Sequence, residues 1–441
     1  MQVPEQRPAT LCMAPWTHTY LSPQTERRLC CASREPAQNF QQYIDTTAGT
    51  GEYIPITLDE HWNSEHMKSV RRRMMAGEVL SECEVCNDKL LNTDVYRSYF
   101  THLFSSKYYE QIWQSTDETG YTTMQPISWD YRFSNLCNFK CRMCGDMLSS
   151  AWESEQRQYG MIDWSNPKNS WMKPNIRAQI NNFQATQVEK EFARAVEEHR
   201  IEEVYWVGGE PLMYEQHWRY MKRIVEIGDG PNVYARYNTN LSRVQYQGTD
   251  LYRDILGRIR DWQICASIDG TGAIGEYIRS GLNYNSWLEN FARGIEVQHH
   301  PRQMRLDFTL TLPGLFEVEN MQNLANRLGV GMLAKLVFSF TPEIILSPLA
   351  LPRELLNSRV DQLITNLPNG ALRDVLLQLK NRPNFEEQWP TEYRAGLAKG
   401  KARVLKLEQI RQDTLTLDKI LQQDKEIYEW WQSVPSDSNS L

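Results

Sequence analysis

At 441 residues the chain is long enough for roughly two to three ordinary domains, or for one α/β barrel with additions. With 41% hydrophobic and 23% charged residues it is neither disordered nor fibrous. A net charge of -7 offers no basic footprint for nucleic acid or an anionic membrane, so neither is expected as a partner. The opening MQVPEQRPAT lacks the charged and apolar regions of a signal peptide, and no run approaches the roughly 18 consecutive apolar residues of a membrane span; a cytoplasmic protein is expected.

In chain order, residues 1 to about 100 are loop-rich and punctuated by Pro4, Pro8, Pro15, Pro23 and Pro36, with one convincing helix over 64–76. Such a segment builds little core, and a metal tying its loops together supplies the missing stability. After residue 125, apolar strand-like runs alternate with helical stretches, the pattern of repeated βα units on a parallel sheet. Strands are predicted over 126–133, 202–207, 232–238, 262–268, 304–312 and 332–338. Val188, Phe192, Ala195 and Val196 mark one apolar helix face that covers the sheet. The stretch 148–184 is too long for a simple βα connection and reads as an insertion near the mouth of a site, or as a surface excursion. From 350 the chain is helical again, and it ends in a polar tail, SVPSDSNSL, expected to fray.

Nine cysteines stand at 12, 30, 31, 83, 86, 137, 141, 144 and 265. An odd number, eight of them in the first third of a chain expected to be cytoplasmic, points to metal ligation or catalysis rather than disulfides. The sharpest motif is Cys137-Asn-Phe-Lys-Cys141-Arg-Met-Cys144, directly after the first βα-type strand. Three thiolates on one tight loop can hold three corners of a cuboidal [4Fe–4S] cluster and leave one iron open to a small molecule. A closed zinc site needs a fourth protein ligand, and no His or Cys follows closely after Cys144.

One predicted strand later comes Gly208-Gly209-Glu210-Pro211, where glycines permit close backbone approach and a carboxylate suits an ammonium group. Together the cysteine triplet and this turn resemble the radical S-adenosylmethionine (SAM) superfamily, which carries a C-x3-C-x2-C loop and a GGEP-type turn in this order. The resemblance implies an α/β fold, a partial (β/α)6 barrel, in agreement with the six predicted strands. It implies that the open iron chelates SAM and that one electron cleaves the sulfonium to a 5′-deoxyadenosyl radical, which abstracts hydrogen from substrate. Carried over residue by residue, Gly208, Gly209 and Glu210 contact the SAM amino group, and Pro211 helps shape the SAM pocket. Ser267 and Asp269 flank the ribose, Arg279 pairs with the carboxylate, and Thr239 and Asn240 lie near SAM. The position before Cys144, often aromatic in the family, is Met143 here; its thioether can pack on the adenine.

A second constellation, Cys12, Cys30 and Cys83-x-x-Cys86, makes a four-thiolate site. Adjacent residues of an extended strand point to opposite sides, so Cys30 and Cys31 are not equivalent, and Cys30 is taken as the ligand. The surrounding sequence resembles the twitch-like or SPASM-like modules of some radical SAM proteins, which implies an auxiliary [4Fe–4S] cluster; a structural zinc ion would use the same four thiolates.

Cys265 reads as a buried strand residue, His299 and His300 as solvent-facing, Arg71 to Arg73 as a solvated basic face, and Ile427, Trp430 and Trp431 as the anchor of the last helix. The expected organisation is a cysteine-rich module at 1–110, a partial barrel at 120–345 and a helical C-terminal extension at 346–441. The partners implied are a peptide or small-molecule substrate, oxidised or crosslinked, and an electron donor such as flavodoxin or ferredoxin. No general base can be assigned, and a non-catalytic iron–sulfur or zinc protein is the competing reading.

Overall fold

The computed structural model describes residues 3–4, 6–34, 53–88, 96–337 and 343–436. The chain divides into two compact units. The first holds Met1–Leu136, Ile162–Arg236 and Arg253–Trp262; the second holds Cys137–Met161, Tyr237–Tyr252 and Gln263–Leu441.

In the first unit, β1 (His18–Leu21), β2 (Arg27–Arg28), β3 (Ser128–Tyr131), β4 (Glu203–Trp206) and the start of β5 (Tyr234–Thr239) lie in the order β5-β4-β3-β1-β2. β1, β3 and β4 run parallel, with His18 opposite Ser128 and Ser128 opposite Glu203, and β2 returns antiparallel to β1. The two-residue period sends Trp129 and Tyr131 to one face and Ser128 and Asp130 to the other. The apolar face receives the helix Glu189–Glu197, whose stripe of Val188, Phe192, Ala195 and Val196 is fully buried as the sequence predicted. Phe192 lies at the centre, with ring centroids of Trp129, Phe133, Trp206 and Tyr220 at 5.5, 5.4, 5.8 and 4.9 Å. Such tilted and edge-on pairs add to the area they bury.

In the second unit, the end of β5 is followed by the hairpin β6 (Gln245–Tyr246) and β7 (Thr249–Asp250), then by β8 (Asp261–Ser267), β9 (Met304–Leu310) and β10 (Gly331–Leu336). Their order is β10-β9-β8-β5, and the β8–β9 and β9–β10 pairs are parallel. β9 alternates completely, with Met304, Leu306, Phe308 and Leu310 buried and Arg305, Asp307 and Thr309 on the opposite face. Helices Gly272–Ile278, Tyr284–Val297 and Val318–Leu328 connect these strands, and six more among the described residues, from Arg353–Asn366 to Lys425–Ser433, form the C-terminal region. Ile427 and Trp431 of the last helix are buried, as expected of an anchor. This is the α/β class predicted, and all six predicted strands are present.

Among the described residues, the N-terminal third holds more regular structure than its loop-rich sequence suggests. Beyond the expected helix, now Glu65–Met75 capped by Ser64, it contains the nineteen-residue helix Tyr96–Gln114, whose tyrosines and phenylalanines are spread around its circumference and give no clear apolar stripe. The 148–184 stretch is largely helical, with Ser150–Gln158 and Pro174–Phe183 separated by a 3-10 segment. Of the tail, residues 437–441 lie outside the described residues.

The expectation of a solvated basic face over 71–73 is corrected. Arg71 is fully buried; it donates to the Pro15 carbonyl at 2.8 Å, the Trp62 carbonyl at 2.7 Å and Asn63 Oδ1 at 2.8 Å, and its guanidinium lies 5.0 Å from the Trp62 ring. A fork with five donors satisfies carbonyls that no backbone group reaches. Only Arg72 and Arg73 reach solvent. Arg71→Ala strands those acceptors in the interior and is expected to cost about 2–4 kcal/mol in thermal or denaturant unfolding, against less than about 0.5 for Arg72→Ala; equal effects would contradict the assignment.

His18, His61 and His217 are buried, and burial is the first cause holding each imidazole down to about 3 from an ordinary 6.5. The unfolded chain therefore binds more protons than the folded one between those values, so stability declines as pH falls from about 6.5 towards 3. His217→Gln is expected to flatten that decline when thermal midpoints are followed against pH; an unchanged slope would refute its share.

Candidate functional site

The loop Cys137–Cys144 has no regular secondary structure, and its backbone groups are satisfied from outside. The Lys140 amide donates to the Ser280 carbonyl and the Arg142 amide to the Ile278 carbonyl, both at 2.8 Å. The Cys137 amide donates to Ser150 Oγ at 3.2 Å, Ser149 Oγ donates to the Phe139 carbonyl at 2.6 Å, and Trp152 Nε1 to the Cys141 carbonyl at 2.7 Å. Cys141 is buried, and Cys137 and Cys144 are partly so; none forms a disulfide. Burial pushes the Cys144 thiol up to about 12, with Cys141 adding to the shift, so a metal must displace a proton there.

Within the second unit the structure brings several predicted site residues to this loop. Arg279 directs Nη1 at Cys141 Sγ, 3.8 Å away, while its Nε lies 2.6 Å from Asp269 Oδ2. Burial opposes the charge on Arg279, but Asp269 and then Cys141 outweigh it and hold the guanidinium protonated. Asp269 Oδ1 accepts the Thr309 amide at 2.7 Å, so both carboxylate oxygens have partners. Asn240 Nδ2 lies 3.0 Å from Asn138 Oδ1 and 3.9 Å from Cys137 Sγ. Thr239 Oγ1 accepts the Leu241 amide at 2.9 Å, closing the turn that ends β5. Ser267, half-buried, stands opposite Asp307 in the β8–β9 register, and Met143 is half-buried between Cys141 and Cys144 in the sequence.

In the first unit, the Gly208–Pro211 turn has local reasons for its composition. Gly208 and Gly209 have φ of 83° and 55°. A Cβ on Gly208 would fall 2.6 Å from the Arg132 side chain, and one on Gly209 would fall 2.5 Å from the Leu136 carbonyl. The first glycine therefore makes room for Arg132, whose guanidinium grips Asp130 at 3.0 and 3.1 Å. The Glu210 amide donates to the Leu136 carbonyl at 2.7 Å, and its buried carboxylate caps the Leu212 amide at 3.0 Å, with Pro211 opening the 3-10 turn.

The four N-terminal thiols also come together. Cys12, Cys30, Cys83 and Cys86 line one recess with Leu29 and Phe100. Burial pushes Cys12 up to about 12 and Cys83 to about 11, and the thiols reinforce one another. Cys31 faces elsewhere: its charged neighbours are Asp130, Arg132 and Arg236, and Tyr96 hydrogen-bonds it. Among the described residues, no three His, Cys, Asp or Glu side chains converge closely enough to hold a single metal ion. A cuboidal cluster spreads its ligands over separate corners and does not require that convergence.

Sequence reasoning missed Trp152, Glu155, Arg411 and Asp413, which surround the cysteine loop from positions with no motif. Cys265 is buried in β8 and His299 and His300 are exposed, in line with their bland readings. No helix among the described residues is long and apolar enough to cross a membrane.

Gly208→Ala must adopt positive φ and collide with Arg132, for an expected loss of roughly 1–3 kcal/mol in unfolding experiments. Adding Arg132→Ala should relieve the collision and recover part of the loss; a neutral Gly208→Ala would show that the space is not needed.

Neither a family model nor a curated protein matches the chain. Among solved structures it is similar to Streptococcus suis SuiB bound to S-adenosylmethionine, at 12% identity and TM-score 0.33, over 73% of this chain and 65% of that one. It is similar to SuiB bound to its precursor peptide SuiA, at 15% identity and TM-score 0.34, over 74% and 68% of the two chains. It is also similar to native anSMEcpe with bound AdoMet, at 14% identity and TM-score 0.34, over 53% and 58%. The chain thus spans a little under two thirds of the length of the first of these proteins.

Proposed function

We propose that this chain is a radical SAM enzyme. The observation that carries the reading is the C-x3-C-x2-C loop itself: three cysteines outside any disulfide on one externally braced loop, with a charged guanidinium turned towards the middle one. Cys137, Cys141 and Cys144 are the ligands of a [4Fe–4S] cluster whose fourth iron is left to a small molecule. When bound, that cluster supplies the electron that cleaves the sulfonium of SAM, giving a 5′-deoxyadenosyl radical for hydrogen abstraction from substrate.

The chain's own residues bind and orient. Arg279, kept charged by Asp269, is suited to a carboxylate, and Asp269 serves by holding that arginine. By family resemblance, Gly208, Gly209 and Glu210 contact the amino group, Pro211 helps shape the pocket, Ser267 meets the ribose and Met143 the adenine, and Thr239 and Asn240 lie near SAM. Cys12, Cys30, Cys83 and Cys86 hold an auxiliary cluster; a structural zinc ion on the same thiols is the less favoured alternative, because a single ion needs its ligands to converge more closely than these do. In this reading 1–110 is the auxiliary module, 120–345 the partial barrel and 346–441 the extension. The substrate is a peptide or small molecule undergoing oxidation or crosslinking, and a flavodoxin or ferredoxin supplies electrons in the cytoplasm.

Anaerobic reconstitution, with iron and sulfide counted per chain, tests this. About eight irons, and 5′-deoxyadenosine formed from SAM and dithionite, are expected; changing the triplet to Ala should abolish cleavage and leave about four irons. Cys30→Ala should lower the iron content and Cys31→Ala should not. No SAM cleavage from a fully loaded protein, with peptide and small-molecule substrates supplied, would overturn the enzyme reading.

A further inference from the structure

The helix Tyr393–Arg411 ends against the cysteine loop. Gln412 takes the left-handed conformation at φ 54°, which terminates the helix and turns Asp413 back. Arg411 is 4% exposed. Its Nη1 donates to the Lys140 carbonyl and to Ser280 Oγ, both at 3.0 Å, and its Nη2 reaches Glu155 Oε2 at 2.7 Å. Glu155, 3% exposed, also holds Lys140 Nζ at 2.6 Å. The Arg411 guanidinium lies 4.6 Å from the ring of Trp152, the residue whose indole N–H holds the Cys141 carbonyl.

The second arm begins at Asp413, which pairs with Arg142; that guanidinium stacks 3.9 Å from the Tyr277 ring and donates to the Tyr277 carbonyl at 2.9 Å. Tyr277 in turn donates to Glu408 at 2.7 Å, one turn back on the same helix. Lys140 and Arg142 are the two residues flanking Cys141. Each is gripped through main chain or side chain by the end of one helix roughly 270 residues away in sequence. A buried pair of this kind is costly to break because the surviving charge has no water to turn to.

We propose that the end of the C-terminal helix is a clamp on the cluster loop, with Arg411 its positioning residue and Asp413 its second arm. Resting on the reading of Cys137, Cys141 and Cys144 as ligands, the clamp fixes the backbone on both sides of Cys141 before any metal arrives. The loop is thereby preorganised, and the helical extension is part of the cluster site.

The test uses the full chain, first iron-free. Iodoacetamide labelling of each cysteine is followed by mass spectrometry in the parent, Arg411→Met, Arg411→Lys and Asp413→Asn, with Cys265, buried in β8, as the internal reporter of folding. Arg411→Met should raise the labelling rate of Cys141 about tenfold with Cys265 unchanged, and Arg411→Lys should recover most of the protection. In the iron-loaded protein, release to a chelator should accelerate by a similar factor. Triplet labelling at the parent rate, with Cys265 still protected, would overturn the clamp. If Arg411→Met exposes Cys265 as well, Asp413→Asn decides by the same comparison. The iron-free labelling does not depend on cluster chemistry: a parent chain that takes up no iron defeats the ligand reading, while the labelling still answers for the clamp.

Discussion

An irregular loop that carries three thiols cannot hold itself. Between Cys137 and Cys144 no helix or strand satisfies the amide groups, and burying them unpaired would cost more than most folds can bear. The Lys140 and Arg142 amides instead donate to the carbonyls of Ser280 and Ile278. That pairing places Arg279, the residue between those two carbonyls, beside Cys141. The rest of the arrangement follows from it: Asp269 neutralises the arginine, Thr309 secures the aspartate, and the helical extension closes over Lys140 and Arg142.

Much of this was legible in the sequence, for identifiable reasons. The six βα strands announce themselves because both sequence runs and turn residues change together, and the helix stripe at Val188, Phe192, Ala195 and Val196 follows the helical period without interruption. The cysteine motif is legible because its three cysteines lie at most seven positions apart. The clamp is not legible: Arg411 ends, and Asp413 follows, a helix of mixed charged and apolar residues, and nothing local distinguishes a guanidinium that will be buried against Glu155 from one that will face water. Arg71 failed for the same reason. Its neighbours Arg72 and Arg73 are ordinary surface residues, and only tertiary packing separates the three.

The vicinal cysteines give the opposite lesson. Cys30 and Cys31 lie in a bend and a turn after β2 rather than on an extended strand, yet the structure places the first among Cys12, Cys83 and Cys86 and the second beside Tyr96, Asp130 and Arg132. The GGEP turn is more ambiguous than its sequence suggests. Its first glycine is required by the stem of Arg132 and its second by the Leu136 carbonyl, so the motif would be constrained here even if it touched no ligand.

The separation between Lys140 and Arg411 has a consequence for biogenesis. Their contact spans 271 positions of the chain. At synthesis rates of about 5–20 residues per second, the cysteine loop leaves the ribosome roughly 15 to 55 s before the helix end that covers it exists. For that interval the nascent chain presents its thiols with one side of the loop uncovered, and that side is covered only when the last helices dock.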